Sequence, residues 1–110
     1  MDFQYLFFNF DGRIDRGNWW VGFGILLVAQ FLNWVLFGGG LVARVLAIVI
    51  FVAALGLHVK RFHDRGKSGW WVLVFFIPVI GFIWMIIEMG FLEGDDGPNE
   101  YGPPPGRARG

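Results

Sequence analysis

A chain of 110 residues in which 55% are hydrophobic, 19% aromatic and only 16% charged holds one domain at most, and it is more apolar than a soluble fold of that size. Nine basic and nine acidic residues cancel to a net charge of zero, and the basic ones are few and lie beside apolar runs, which excludes a nucleic-acid footprint. The lack of cysteine excludes a disulfide framework, a thiolate metal site and a cysteine nucleophile.

Taken in chain order, Phe3, Leu6, Phe7 and Phe10 fall at i, i+3, i+4 and i+7, the stripe of a short amphipathic helix. An aromatic terminus resting on a bilayer reads the same way, because Tyr5 and Phe8 blur the stripe. The first residues lack the basic stretch and cleavage site of a signal peptide, so the first apolar run is expected to stay in the mature chain. Asp11-Gly12 is a turn signal. The run 19–37 follows and reaches about 28 Å as a helix, just enough to cross a hydrocarbon layer. Gln30 and Asn33 interrupt it on one face.

Gly38-Gly39-Gly40 breaks the chain before a second run, 41–59, which carries Arg44 near its start and His58 near its end. Ala43, Ala47 and Ala54 mark a small-residue seam along it, where a neighbouring helix can approach. A basic hinge spans 60–69. The third run, 70–92, contains Pro78 and Gly81, which predict a bend, and Ser68 is placed to cap it. Glycines and prolines then make 93–110 an extended tail.

The expected fold is an all-α membrane protein: three transmembrane helices, a short amphipathic amino-terminal segment and an extended carboxy-terminal tail, in one domain. Arg13, Arg16, Lys60, Arg61, Arg65 and Lys67 fall on one side of that arrangement, which the positive-inside rule assigns to the cytoplasm. The tail is then expected outside. Trp19-Trp20 and Trp70-Trp71 would anchor the inner interface.

Three strings, GRIDRGNWW at 12–20, RFHDRGKSGWW at 61–71 and GPNEYGPPP at 97–105, resemble the small bacterial inner-membrane proteins grouped as Domain of Unknown Function 805. The motifs stand in that family's order with apolar runs between them. The resemblance implies an integral inner-membrane protein without an established activity. Departures fall at Asn18 and Glu100, where similar members often carry an acidic and a basic residue respectively.

Chemistry is sparse. His63 and Asp64 suggest an acid–base pair, but nothing placed beside them completes a site. Gly66-Lys67-Ser68 imitates the end of a nucleotide loop, yet Arg61 stands where that loop needs glycine. His58 and His63 are off the spacing that puts two metal ligands on one helical face. No catalytic residue, cofactor or metal is expected.

Membrane lipids are the expected partners, with Arg13, Arg16, Arg61, His63, Asp64, Arg65, Lys67 and Trp70 as contacts for anionic headgroups or for a partner protein. Asp64 is also expected to pair with Arg13 or Arg16. Counting depth from the ends of three straight spans puts Asn33, Arg44 and Glu88 at one level, so an intramembrane polar cluster is expected there. The function these features suggest is structural or regulatory. A small oligomeric channel or transporter subunit is the alternative, as a homo-oligomer or with another membrane protein, because three spans alone enclose little space.

Overall fold

The structure is a computed structural model, and it describes residues 3–105. The described residues are predominantly helical and form no strand. Helix α1, Phe3–Phe8, buries Leu6 and Phe7 of the predicted stripe, while its other two members, Phe3 and Phe10, are exposed and Phe10 lies beyond the helix.

Helix α2, Arg16–Phe37, begins where the Asp15 carboxylate accepts a hydrogen bond from the Asn18 amide at 2.9 Å. It ends at Gly38, whose φ of 61° favours glycine. Helix α3, Leu41–Asp64, runs beyond the predicted boundary into the hinge. With 22 and 24 residues the two helices reach about 33 and 36 Å, and both are long and apolar enough to cross a membrane. They pack as an antiparallel pair, and α1 packs against α3. A Cβ on Gly22 would meet Leu57 at 2.6 Å, and one on Gly56 would meet the Phe7 carbonyl. Glycine thus sets the closest approaches here. Of the alanine seam, only Ala43 is fully buried.

The third predicted span is not one helix. Ser68 caps its start as expected, accepting from the Trp70 amide at 3.2 Å. A 3₁₀ segment, Gly69–Phe76, forms an ingoing limb; the chain then turns through Ile77 to Val79. It returns as α4, Ile80–Met85, continued by a π-helix, Ile86–Phe91. Three observations define the reversal. Trp71 faces Trp84 at 6.4 Å between ring centroids, Lys67 bonds Glu88 at 3.2 Å, and Gly81 sits against the Phe75 carbonyl.

The physical causes are local. Pro78 has no amide to donate and disfavours helical geometry at Ile77, which is extended at φ −75° and ψ 119°. Val79 takes a φ of 64°, a conformation that costs a β-branched residue about 1–3 kcal/mol. Gly81, having no side chain, lets the returning limb close against the ingoing one, since a Cβ there would meet Phe75 backbone at 2.5 Å. Phe76, near the tip, approaches Phe51 at 6.4 Å, about half-way along α3. The hairpin therefore penetrates half the length of the helical pair and comes back.

Candidate site at the hinge end

Because the hairpin returns, the amino-terminal turn, the end of α3, the π-helix and the tail all meet at one end of the molecule. Asp64, the last residue of α3, is fully buried. Arg13 reaches its Oδ1 at 3.0 Å, and Arg61, one helical turn back, reaches its Oδ2 at 2.9 Å. Both guanidinium groups are buried with it. Such a cluster is stable only when every donor is used, because each unpaired buried charge costs several kcal/mol.

Every donor group finds a partner. Beyond Asp64, the Arg13 fork donates to the carbonyls of Gly97 and Gly102, each at 2.9 Å, and of Asp95 at 2.6 Å. Arg61 donates to Met89 at 2.7 Å and to Leu92. Trp20 donates to Gly90 at 2.8 Å and Arg16 to Phe91 at 2.6 Å. Four successive carbonyls at the end of the π-helix thus receive side-chain donors from α2 and α3. These are the groups that a helix end leaves without an intrahelical partner.

The tail closes over this cluster. The Asp95 amide donates to the Asp64 carbonyl at 2.6 Å, and Asn99 and Gly102 exchange two backbone bonds of 3.0 Å in a tight turn. Asn99 also donates to the His63 carbonyl at 2.9 Å. Tyr101 stacks flat on the His63 ring, centroids 3.8 Å apart and planes 1° from parallel. His63 Nδ1 donates to the Gly12 carbonyl at 2.9 Å. On the other side, the Tyr5 hydroxyl donates to the Arg13 carbonyl and accepts from its amide, both at 3.1 Å. Burial raises the Tyr5 pKa, an effect the bonding to Arg13 opposes and Asp11 reinforces.

Of the expected lipid or partner contacts, Arg13, Arg61, His63 and Asp64 are turned inward and used within the chain. Arg16, Arg65, Lys67 and Trp70 remain partly or fully exposed. The pairing expected between Asp64 and the first motif is with Arg13; Arg16 instead lies 3.7 Å from Glu93. His63 bonds the Gly12 carbonyl, and Asp64 bonds Arg13 and Arg61. No group of three metal-ligating side chains occurs among the described residues.

Two expectations are corrected. The tail does not lie beyond the far end of the helices, since Asn99 and Tyr101 are seated on His63. Nor do Asn33, Arg44 and Glu88 cluster. Asn33 is buried and donates to the Ala43 carbonyl at 2.9 Å, Arg44 is exposed without an ion pair among the described residues, and Glu88 stands at the hinge end. Glu88 is clamped there by Arg65 and by Lys67 at 3.2 Å, with the Trp84 indole 3.3 Å away. The physical reason is the turn at Pro78, which carries Glu88 back to the hinge end, where an uninterrupted helix would have put it at the other.

Sequence reasoning also missed two residues. Lys60 is fully buried, its ammonium on the Asn9 carbonyl and 5.3 Å from the Tyr5 ring centroid. Its place at the end of an apolar run is the one available signal. Gly94 carries no signal at all, yet any Cβ there would collide with the Asp64 carboxylate.

The three strings that converge here are the ones on which the resemblance rested. Residues 7–103 match the family described as Protein of unknown function (DUF805). The chain belongs to this family. It is 32% identical over 106 residues to the Inner membrane protein YhaH of Escherichia coli K12, covering 88% of this chain and 87% of that one. It is 33% identical over 104 residues to the Inner membrane protein YhaI of the same strain, with coverage of 88% and 86%. The Uncharacterized protein YiiR is 28% identical over 130 residues, with coverage of 93% and 89%. No solved structure matches. Within this DUF805 chain, the motifs far apart in sequence are the parts of one buried network.

Proposed function

We propose that this DUF805 protein is a structural or regulatory component of the bacterial inner membrane that engages anionic phospholipid at the rim of its hinge end. In this reading α2 and α3 span the bilayer, and the segment 69–91 is a re-entrant hairpin in place of a third span. The hinge, the amino terminus and the tail then share the cytoplasmic side, where the positive-inside rule puts Arg13, Arg16, Lys60, Arg61, Arg65 and Lys67. The inner-membrane names of YhaH and YhaI support the compartment.

One observation carries the lipid assignment. A groove of about 410 Å³, lined by Ile80, Ile83, Trp84, Ile87, Glu88 and Leu92, runs along the returning limb. At Glu88 it meets Arg65 and Lys67, two partly exposed cations that share this carboxylate. An apolar trough ending at two partly exposed cations fits an acyl chain with an anionic headgroup, and each cation near such a surface contributes about 1 kcal/mol. Trp70, exposed at the start of the ingoing limb, supplies an interfacial ring.

The test compares melting temperatures in nanodiscs of phosphatidylcholine and of phosphatidylglycerol. The protein is expected to melt higher in the anionic discs, and Arg65→Ala with Lys67→Ala to remove that difference. Equal melting of the parent protein in both lipids would overturn the assignment.

A further inference from the structure

The hairpin leaves a stripe of α2 unfinished. Trp20, Phe23, Leu27, Gln30 and Trp34 follow one another at alternating steps of three and four, the spacing of a helix face that packs against a second helix. At the hinge end this stripe is partly covered by the chain itself. The Trp20 ring packs on Phe91 at 5.9 Å and Trp20 donates to Gly90, while Phe23 stacks on the buried Trp19 at 4.7 Å. Beyond the hairpin tip nothing described covers it: Leu27 is 56% exposed and Trp34 67%.

Gln30 lies in the middle of the uncovered part. Its amide is exposed and makes no hydrogen bond among the described residues. At 1.5 Å per residue it sits about 10 Å from the glycine-turn end of α2, well inside a hydrocarbon layer of about 30 Å. Lipid tails offer an amide neither donor nor acceptor, so an intramembrane polar group is normally turned towards a protein partner.

We propose that the Gln30 stripe is the contact surface between two copies of this chain. Two features of the residue select a second copy. A carboxamide carries donors and an acceptor together, so it is complementary to itself. Two identical chains inserted the same way hold residue 30 at the same depth, and a two-fold axis along the membrane normal brings the two amides face to face. Leu27 and Trp34, one step to either side, would pack around a reciprocal pair of amide hydrogen bonds. This assignment is independent of the lipid groove, which lies on the returning limb.

The natural lack of cysteine makes the surface testable by single-cysteine cross-linking in native membranes. Leu27→Cys and Trp34→Cys should form disulfide-linked dimers on mild oxidation. Leu32→Cys and Leu36→Cys, exposed on the opposite side of α2, should not. Adding Gln30→Leu should lower the Leu27→Cys dimer yield by roughly threefold to tenfold, the range that one interhelical side-chain hydrogen bond supplies. That substitution replaces an exposed amide with an apolar side chain, so it favours insertion and does not threaten folding. The proposal falls if all four positions cross-link equally, if none does, or if Gln30→Leu leaves the yield unchanged. Loss of the melting difference between lipids, with cross-linking intact, would remove the lipid assignment alone.

Discussion

The hinge end and the glycine-turn end of α2 and α3 are made by the same two helices, yet one is tied to every other part of the chain and the other to almost nothing. At the hinge end Trp19, Lys60, Arg61, Phe62 and Asp64 are fully buried. At the other end Trp34, Leu36, Leu41 and Ile48 are each more than 60% exposed, and a Cβ on Gly38 or Gly39 would meet nothing within 4 Å. The difference shows what each end is stabilised by. Exposed apolar side chains on two long helices suit a lipid surround, where only packing and hydrogen bonds hold helices together. The hinge end is held by charge-assisted hydrogen bonds, which are strong because water is excluded from them.

The largest effect expected from this contrast is all-or-none. Reporters placed at Gly40, at Lys67 and after Pro105 should divide two against one, with Lys67 and the tail on the same side and Gly40 on the other. A tail reporter that sides with Gly40 would restore three spans and break the comparison.

Next in size is Asp64→Ala, which leaves two buried guanidinium groups facing each other. Removing one partner from a buried ion pair costs about 3–5 kcal/mol, so detergent unfolding should show a loss of that order or failure to accumulate. Reversing the pair, with Arg13→Asp and Asp64→Arg, should not restore stability. A carboxylate at position 13 would face the carbonyls of Asp95, Gly97 and Gly102, acceptors that only a donor can satisfy. Rescue by the reversal would mean that the tail carbonyls do not hold Arg13.

Glycine gives the same comparison on a smaller scale. Gly94→Ala drives a methyl group into the Asp64 carboxylate, and overpacking of this kind costs about 1–3 kcal/mol. Gly39→Ala enters open space at the far end and should stay within about 0.5 kcal/mol of the parent. Unfolding of the two variants side by side measures the contrast directly; equal losses would contradict it.

The sequence made some of this legible. Apolar run length located α2 and α3, the amino-terminal stripe located α1, and Ser68 was recognised as a cap because each of these signals is local. The pairing of Arg13 with Asp64 was also within reach, since each motif offered an unexplained charge. What stayed hidden depends on chain direction. Pro78 and Gly81 signal a bend whether the chain kinks or reverses, and only the positive φ of Val79 and the approach of Gly81 to Phe75 distinguish the two. An uninterrupted helix over 70–92 puts Glu88 at the glycine-turn end, whereas the reversal brings it to Arg65 and Lys67. Gly94 was illegible for a different reason: its requirement is set by Asp64, thirty residues earlier, and nothing near it in the chain records that.

The smallest effect expected is at Arg44, and it separates the two ends most finely. In a three-span arrangement Arg44 and Glu88 would neutralise each other, and removing both would cost less than the sum of the single losses. Here Glu88 is bound to Arg65 and Lys67 at the hinge end, while Arg44 is exposed three residues into α3 at the other. An arginine so near a helix end can extend its head towards water along its apolar stem, so Arg44→Ala should change stability by no more than about 0.5 kcal/mol. Glu88→Ala leaves Arg65 and Lys67 without their carboxylate. Hydrogen bonds to charged groups are worth about 1.5–3 kcal/mol, which sets the expected loss. Distant sites without shared partners add to within about 0.3–0.5 kcal/mol, so the double variant should lose the Glu88 amount and little more. A coupling energy clearly above that margin in a detergent unfolding cycle would bring the two charges together and return Glu88 to the glycine-turn end.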